Sequence, residues 1–596
     1  MAASRLALLS CAASRASDLR LAKLVEMMGV EALTLKVCGD GAGEDLLDSA
    51  KMRGCSAIAA SSNALARLKD QARIPPASPD ALLAGFDHAF IYGFRPNEGD
   101  DVAAWLTDRA LFRSADSHGN SGAYAISPAA REIAGPLAGL KFPPSADARG
   151  FAVGQADLRG GAVSQIVTLE QRPCLALAKL RGCRIFLCAE GEMADLDEKA
   201  EAGGLDARHY ASLLPPLLFL RSAFSEYCWS NPAPHATLTI DDPLLRPRYG
   251  FLRFDRLVAE MEAHRFATTL AFIPWNYRRT DPQVADLLRT HGNRFSLCIH
   301  GCDHTAAEFA DEDEAMLRDK ARTAISRMRA HAASSGLPCE PIMIFPQGGF
   351  SGAALRALAA EGYLAAVNTS VLASGSFRRQ LTIRDLLDVA VVGDGGLPLF
   401  GRRYPIASFP FAFDLFMGKP ALIVEHHDYF KNGYTAACEF VRSINEMEPR
   451  ISWAPLETSL TETALYRKTG PAAAEAKFYT RRFRMRNPYG SRTVFTISRP
   501  VADEDPDAGL LLNGSPLEHR RAHGRLAAEL ELDPGEQATV EVSRTNERAP
   551  LDARSRVAHE ARVALRRWLS EFRDNHLAGN ERMLALARQF ARRIRV

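Results

Sequence analysis

The chain has 596 residues, of which 47% are hydrophobic and 24% are charged, a composition typical of folded globular proteins that argues against long disordered segments. This length exceeds what one hydrophobic core holds and predicts about three or four domains. The formal net charge of +2 gives no sign of a polyanionic partner, so no nucleic-acid partner is expected.

The cysteines and the N-terminus bear on the cellular compartment. The 11 cysteines are scattered along the chain without a CxxC pair, which favours reduced thiols in a cytoplasmic protein over a disulfide framework. The apolar run Leu6–Cys11 superficially resembles a lipoprotein cleavage site. Because it is shorter than an export signal requires, we interpret it as a first β-strand, with export as the alternative. No apolar stretch is long enough to span a bilayer.

Residues 1–115 alternate between strand-like and helix-like segments, beginning with Leu6–Cys11, Asp18–Met28 and Leu33–Val37. This alternation predicts a parallel sheet covered on both faces, a Rossmann- or flavodoxin-like domain. The segment Gly39–Gly43 could cradle a phosphate, but its glycine spacing differs from that of dinucleotide-binding loops, and we interpret it as a flexible turn. Residues 116–230 predict a second α/β segment that packs on the domain that follows.

Residues 231–470 form a long series of alternating strands and helices. Repeated βα units of this length predict a (β/α) barrel, in which catalytic groups lie at the carboxyl ends of the strands. The predicted strands are Thr237–Ile240, Ala267–Phe272, Phe295–Ile299, Pro341–Phe345, Leu364–Val367 and Ala421–Val424. This domain is therefore the candidate for catalysis.

The last part of the chain has a different sequence pattern. Residues 471–548 contain short strand-like pieces separated by Asn-Pro, Asn-Gly and Pro-Gly turns, which predicts an antiparallel β-sandwich. Residues 549–596 predict one or two arginine-rich helices with an apolar stripe of Val563, Leu565, Trp568, Leu569 and Phe572. We interpret the arginines as a solvated helix face, because acidic neighbours offset part of their charge.

Ionisable residues follow two of the predicted barrel strands. The first strand ends in Asp241 and Asp242, and the third runs into His300-Gly-Cys-Asp-His304. Because the carboxyl ends of parallel strands share one rim, these groups can lie close together. One carboxylate and two imidazoles form a ligand set that suits a catalytic Zn²⁺ with an open position for water. The alternative is that they only cap and solvate the strand ends.

Two further strands end in groups of possible catalytic use. The fourth strand is followed by Pro346-Gln-Gly-Gly-Phe350, a turn whose backbone N–H groups could stabilise an oxyanion. The last strand is followed by Glu425-His426-His427-Asp428, which places another imidazole at a strand end. Four strands of one domain thus end in ionisable or turn residues.

Residues 235 to about 430 resemble the polysaccharide deacetylase family, the NodB-homology domain of carbohydrate esterase family 4. The first family motif, T-F-D-D, matches the tetrapeptide T-I-D-D that ends at Asp242. The second, H-[ST]-x-x-H, matches the segment from His300 to His304. The resemblance implies a distorted (β/α) barrel and a divalent metal, for which we expect Zn²⁺, held by Asp242, His300 and His304. It also implies that Asp241 is the general base.

The later motifs match less well. The third, R-x-P-[YF], falls on Ile344-Phe-Pro-Gln347, so the arginine that orients the catalytic base is missing, although the backbone oxyanion contact could survive at Gln347. The last motif, L-x-H, matches the tripeptide V-E-H that ends at His426. The resemblance implies His426 as the general acid, with His427 as the neighbouring candidate. The acidic fourth motif has no convincing counterpart, and Asp385 is one option.

The resemblance implies a hydrolase that removes acetyl groups from an N-acetylated or O-acetylated sugar or glycan. One alternative is another metal-dependent amide or ester hydrolysis at the same site, since the third motif differs. A second alternative is a non-catalytic glycan-binding or scaffold protein of a polysaccharide pathway. The expected partner is a carbohydrate or glycoconjugate, and a homo-oligomer is left open. A cytoplasmic role on a precursor or small glycoconjugate would fit both the family and the cysteines.

Overall fold

The computed structural model describes residues 5–37, 53–71, 83, 85–94, 102, 112–116, 122–145, 149–153, 163–180, 182–374, 380–501, 508–522, 524–543 and 557–577. The turn predicted at residues 39–43 lies outside these ranges.

The N-terminal sheet has a parallel half and an antiparallel half. Its order is β2-β1-β3-β4-β11-β10-β9-β6-β7, with parallel pairing from β2 to β11, and β5 pairs with β8 separately. The strands are β1 Arg5–Ser10, β2 Glu31–Lys36, β3 Ala57–Ser61, β4 His88–Tyr92, β5 Phe112–Asp116, β6 Tyr124–Ile126, β7 Lys141–Phe142, β8 Arg149–Val153, β9 Val163–Leu169, β10 Arg172–Leu180 and β11 Cys183–Cys188. The N-terminal apolar run is thus a strand, as predicted, because its alternate side chains are buried in the cores on the two faces of the sheet.

The helices that accompany this sheet are α1 Arg15–Met27, α2 Ser62–Gln71, α3 Arg131–Ala134 and α4 Ala207–Phe224. Helix α4 is apolar on nearly all sides and is buried over most of its length, as expected of a helix enclosed in a core. Its Phe219 ring lies 5.1 Å from that of Phe90 in β4, while Tyr210 packs 4.9 Å from Phe409 in the next structural unit. One continuous core therefore joins the N-terminal sheet to the sheet that follows.

The central sheet carries the candidate site. Its order is β19-β20-β18-β17-β16-β15-β12-β21, with β22 also paired to β12, and all pairs except β19–β20 are parallel. The strands of this region, including the small β13–β14 pair, are β12 His235–Asp241, β13 Arg248–Tyr249, β14 Leu252–Arg253, β15 Thr268–Phe272, β16 Phe295–His300, β17 Cys339–Ile344, β18 Ala365–Asn368, β19 Val391–Val392, β20 Pro398–Gly401, β21 Ala421–Glu425 and β22 Ser452–Trp453.

Helices between these strands cover the sheet from outside. They are α5 Phe254–His264, α6 Pro282–Thr290, α7 Glu314–Ser335, α8 Gly352–Ala360, α9 Ile383–Leu387, α10 Ser408–Phe416, α11 Thr435–Met447 and α12 Leu456–Glu462. Local sequence sets several of their ends: Asp281 accepts a hydrogen bond from the N–H of Gln283 at the start of α6, and Gly336 ends α7 with φ of 70°. The order of these helices and strands along the chain shows the predicted βα alternation.

The central sheet curls until its two sides meet at Arg403, directly after β20. The Arg403 N–H donates to the Leu422 carbonyl at 2.9 Å, and the Val424 N–H donates to the Arg403 carbonyl at 2.9 Å. Because Leu422 and Val424 belong to β21, these bonds bring the end of β20 beside β21 and, across it, β12. The sequence predicts a distorted (β/α) barrel here, and the structure has a curled, mostly parallel sheet joined by this short bridge.

The C-terminal part contains two sheets packed on a shared apolar core. Their orders are β23-β24-β26-β30-β29 and β25-β31-β27-β28, with antiparallel pairs except β24–β26. The elements are β23 Ala464–Gly470, β24 Ala473–Phe478, β25 Arg482–Arg486, β26 Thr493–Pro500, β27 Gly509–Leu512, β28 Ser515–Leu517, β29 Arg520–Ala522, β30 Arg525–Leu532, β31 Gln537–Ser543 and α13 Val557–Phe572. Phe478 and Phe483 stack with centroids 5.0 Å apart inside this core.

The described cysteines are free thiols, as predicted, and all of them are buried except the half-buried Cys339. Among the helices described, none combines the length and apolar character needed to cross a membrane.

Candidate active site

Asp241 and Asp242 lie at the carboxyl end of β12, which pairs with β15 on one side and with β21 on the other. Asp241 is the last residue of this fully buried strand. Asp242 follows with φ of 73°, a left-handed conformation that non-glycine residues rarely adopt. The change of backbone direction lets the two neighbouring carboxylates serve different partners.

His300 and His304 bring their imidazoles to Asp242, as predicted. The Nε2 atoms of His300 and His304 lie 3.2 Å and 3.0 Å from Asp242 Oδ1. His300 ends β16, and His304 is placed by a backbone with φ of 56°. Left-handed conformations at both Asp242 and His304 cost roughly 1–3 kcal/mol each and persist where surrounding structure enforces them, as is common at functional sites.

The chemistry of these three groups fits a divalent cation. His300 Nδ1 lies 3.1 Å from the Ile344 carbonyl oxygen, which can only accept, so the ring proton is on Nδ1 and Nε2 presents a lone pair in the neutral imidazole. Asp242 Oδ1 is buried and has no hydrogen-bond partner among the described residues. Three lone pairs thus converge, an arrangement that a cation would stabilise.

The spacing supports the same interpretation. Zinc bonds to nitrogen and oxygen of about 2.0–2.2 Å place two ligands roughly 2.9 Å apart at a right angle and roughly 3.4 Å apart in a tetrahedron. The observed 3.0 Å and 3.2 Å lie between these values. Burial acts to raise the pKa of Asp242, but His304 and His300, when their imidazoles are charged, hold it well below its usual range.

A buried carboxylate fixes the loop that carries the histidines. Glu308 Oε1 accepts hydrogen bonds from the backbone N–H groups of Cys302 at 2.7 Å and His304 at 3.0 Å, and Glu308 Oε2 accepts one from Asp303 at 3.2 Å. Gly301 has φ of 64°, and a Cβ there would overlap Glu308 and Pro346. The loop therefore requires glycine at position 301 and glutamate at position 308. The sequence motifs did not predict these two roles.

Asp241 has an arginine partner that the sequence did not predict. Arg402 Nη1 donates to Asp241 Oδ1 at 2.7 Å, and Nη2 donates to Oδ2 at 2.6 Å. Both side chains are 4% exposed. Burial acts to raise the pKa of Asp241, but Arg402 holds it below its usual value. The expectation that the base lacks an orienting arginine is therefore wrong: Ile344 occupies the family position, and Arg402 supplies the guanidinium from the end of β20.

Gln347 lies in the turn after β17, three residues after Ile344, whose carbonyl oxygen accepts the hydrogen bond from His300 Nδ1. Its backbone has φ of 57°, and its N–H donates to no acceptor among the described residues. Asn368, which is fully buried, donates from Nδ2 to the Gly348 carbonyl at 2.9 Å and supports the turn. The Gln347 N–H is thus available for an oxyanion.

The two candidate acids occupy different environments. His426 is half-buried and lies face to face with Tyr404, with ring centroids 6.3 Å apart. Burial acts to raise the pKa of Asp241, and His426 is among the groups that lower it, after the larger effects of Arg402 and His300. His427 is buried against Tyr249, with Nε2 3.6 Å from Asp574 Oδ1. His426 is therefore beside the base, and His427 faces the C-terminal segment.

Asp385 has a local structural role. Its Oδ2 accepts hydrogen bonds from the Thr382 N–H at 2.8 Å and from the Thr382 hydroxyl at 2.9 Å, which caps helix α9. Capping accounts for this acid without a catalytic role.

The C-terminal segment, residues 557–577, packs against the rim beside this site. Arg279 forms two hydrogen bonds with Glu571, at 2.5 Å and 2.7 Å, while the Tyr249 hydroxyl donates to Asp574 at 2.8 Å. Helix α13 buries Arg567 and Val563 and exposes most of the predicted apolar stripe, with Trp568 59% exposed. The prediction of a solvated arginine face is therefore wrong for Arg567.

We expect Asp574→Asn to loosen this segment and to remove part of its pH dependence. Burial acts to raise the pKa of Asp574, but hydrogen bonds from His427 and Arg573 hold it below its usual value. A depressed carboxyl pKa stabilises the fold above the unfolded value of about 3.9 and loses that contribution as the pH falls through the folded value. The variant should lose about 1–3 kcal/mol of stability at neutral pH.

Hydrogen exchange of residues 557–577 measures the effect, with Asp255→Asn at an exposed ion pair as the control. Faster exchange in Asp574→Asn at pH 7, with a smaller change on acidification than in the wild type, is the expected outcome. Equal exchange rates in the two proteins at every pH would contradict it.

Comparisons with known proteins found similar solved structures at low sequence identity. No protein-family model and no curated protein matches the chain. The carbohydrate deacetylase Agd3 is 10% identical over 91% of this chain and 99% of its own, with a TM-score of 0.46. A family 4 carbohydrate esterase from Streptomyces lividans in complex with acetate is 15% identical over 37% of this chain and 91% of its own, with a TM-score of 0.23.

A family 4 acetyl xylan esterase from Clostridium thermocellum, in complex with a cobalt ion, is also similar. It is 12% identical over 38% of this chain and 90% of its own, with a TM-score of 0.24. Both esterases are of the family that the sequence motifs resemble. At these identities and TM-scores the functional conclusion depends on the geometry of the site.

Proposed function

We propose that the protein is a metal-dependent hydrolase, resembling the polysaccharide deacetylases, that removes acetyl groups from an N-acetylated or O-acetylated sugar or glycan. The observation that carries this proposal is that the two adjacent carboxylates at the end of β12 contact different partners. Asp242 shares a cation-binding arrangement with His300 and His304, while the adjacent Asp241 is held as an ionised carboxylate by Arg402. A metal centre beside a separately oriented base suits hydrolysis of an amide or ester.

The ion would be held by Asp242, His300 and His304. Two imidazoles and one carboxylate are a ligand set that favours Zn²⁺. When bound, the ion supplies Lewis-acid activation of the water and of the acetyl carbonyl. Asp241 would accept the proton of the attacking water, since its two oxygens keep lone pairs beyond those used by Arg402. The Gln347 N–H would donate to the tetrahedral oxyanion.

His426 would protonate the departing amine or alcohol. It is half-buried and shares the neighbourhood of Asp241, so it is accessible to a substrate that reaches the base. His427 is buried between Tyr249, Phe251 and Asp574, which suits a supporting role in the rim. We therefore propose His426 as the general acid and His427 as a residue that positions the adjacent backbone.

Acetate release from N-acetylglucosamine oligomers and from simple acetyl esters tests the proposed function. We expect release from the acetylated sugars, with His426→Ala lowering kcat by about 10²–10⁴-fold, the usual range for a general acid. His427→Ala is the matched neighbour and should affect stability more than kcat.

Release from simple esters alone would instead indicate another metal-dependent hydrolase. A metal-free preparation that binds the oligomers as well as the untreated protein, with neither preparation releasing acetate, would indicate a glycan-binding protein. Either outcome would overturn the deacetylase proposal.

A further inference from the structure

A second group of metal-ligand side chains lies on the outer helices, away from the residues described above. Glu260 and His264 are four residues apart on α5, so both project from the same side of that helix. Cys438 comes from α11 and faces them. Their carboxylate oxygen, imidazole nitrogen and thiol sulfur lie within 4.8 Å of one another.

The distances are those of ligands around a single ion. Cys438 Sγ lies 3.5 Å from Glu260 Oε2, and His264 Nε2 lies 3.5 Å from the same oxygen. Zinc bonds of about 2.3 Å to sulfur and about 2.1 Å to nitrogen and oxygen give tetrahedral separations of roughly 3.6 Å for sulfur to oxygen and 3.4 Å for nitrogen to oxygen. Both measured distances agree with these values.

The surroundings assign the two oxygens of Glu260 to different partners. Oε1 faces Arg256 Nη2 at 3.8 Å, whereas Oε2 faces the thiol and the imidazole. The hydroxyl of Tyr434 both donates to the Arg253 carbonyl and accepts from the Arg253 N–H, each at 2.9 Å, so the first turns of α5 and α11 are fixed to each other. The three ligands are therefore carried by helices whose relative position is already set.

The degree of burial suits a site with one open position. Cys438 is 4% exposed, while the side chains of Glu260 and His264 are 24% and 33% exposed. An ion held by these groups would have its sulfur ligand inside and a water on the solvent side, as in three-ligand zinc sites. Thiolate, imidazole and carboxylate together favour a borderline-soft divalent cation over Mg²⁺ or Ca²⁺.

We propose that Glu260, His264 and Cys438 form a second metal site that binds Zn²⁺ and links α5 to α11. Binding replaces the thiol proton: the S–H bond breaks, a sulfur–metal bond forms, and the proton passes to solvent. The proposal is independent of the deacetylase function.

Cobalt substitution of the full chain separates the two sites, because only this one contains sulfur. We expect two equivalents of Co²⁺ per chain and a near-ultraviolet thiolate-to-cobalt charge-transfer band. Cys438→Ser should lose the band and one equivalent, and His264→Ala, at a part-exposed position, should do the same. Cys339→Ser, at the half-buried cysteine, should keep both.

His300→Ala should lose the equivalent of Co²⁺ bound by the first site and keep the charge-transfer band. The absence of metal at one site therefore does not affect the test of the other site. A wild-type protein that binds one equivalent without the band would overturn the second site. A band that persists in folded Cys438→Ser would overturn it as well. Thermal unfolding with and without Zn²⁺ checks the link between helices: added Zn²⁺ should raise the Tm of His300→Ala but not that of the double variant His300→Ala/Cys438→Ser.

Discussion

Replacing His300 by alanine is expected to remove one equivalent of metal and to abolish acetyl hydrolysis. The imidazole Nε2 of His300 lies 3.2 Å from Asp242 Oδ1, and its Nδ1 faces the Ile344 carbonyl oxygen, so its lone pair has no other described use. Loss of one of three protein ligands leaves too few donors to hold the ion. Asp242→Ala should have the same effect.

Asp241→Asn provides the contrast. It removes the base but leaves Asp242, His300 and His304 unchanged, so metal content should persist while kcat falls by about 10²–10⁴-fold. Metal analysis after exhaustive dialysis and acetate release, measured on the same preparations, test both statements.

His291→Ala serves as the control, because His291 precedes β16 and contacts Glu262 at the opposite end of the strand from His300. It should keep full metal content and activity. A His300→Ala protein that retains either its metal or its activity would refute the assigned site.

Replacing Arg402 by methionine is expected to lower kcat and to move the acidic limb of the pH–rate profile to higher pH. Arg402 holds both oxygens of Asp241, at 2.7 Å and 2.6 Å, in a buried pair. Without it, burial raises the pKa of Asp241, so a larger fraction of the base is protonated at any given acidic pH. Loss of orientation should add a decrease of about 10²-fold, since small displacements of catalytic groups have effects of this size.

The same substitution should destabilise the fold by about 3–5 kcal/mol, because it leaves a buried carboxylate without its partner. Arg402→Lys keeps the charge but not the two-point contact, so we expect an intermediate kcat and a smaller shift of the acidic limb. Arg402 is a positioning residue, and the pH profile distinguishes this role from a purely structural one.

Arg403→Gln is the matched control, because Arg403 is the next residue and its side chain pairs with Asp414 instead. It should lower stability without moving the acidic limb. If folded Arg402→Met had the wild-type acidic limb and kcat, the proposed control of Asp241 by Arg402 would be incorrect.

The sequence alone brought out the candidate metal ligands Asp242, His300 and His304, because the pattern that reveals them is local. Asp241 and Asp242 follow an apolar, β-branched strand, and His300 and His304 follow another, so strand periodicity is enough to place all four at one rim. The structure brings Asp242, His300 and His304 together as expected. The first strand at Arg5–Ser10 and the curled parallel sheet were predictable for the same reason.

The C-terminal helix shows where periodicity misleads. An apolar stripe at helical spacing predicts a buried face, yet Leu565, Trp568 and Leu569 are exposed while Arg567 is buried. The segment is held by polar contacts, from Arg279 to Glu571 and from Tyr249 to Asp574. Such contacts join residues about 300 positions apart, so no local pattern contains them.

The contact of Arg402 with Asp241 is another long-range contact that local sequence patterns do not predict. The guanidinium of Arg402 reaches Asp241 because the sheet curls until the end of β20 meets β21, which is paired with β12. Read locally, Ile344 in place of the family arginine indicates an unsupported base. The sequence by itself determined which side chains could bind a metal and which could accept a proton from an attacking water, because short-range strand patterns place them. Only the tertiary structure decided that Asp241 is oriented by Arg402, because that contact depends on closure of the sheet across about 160 residues.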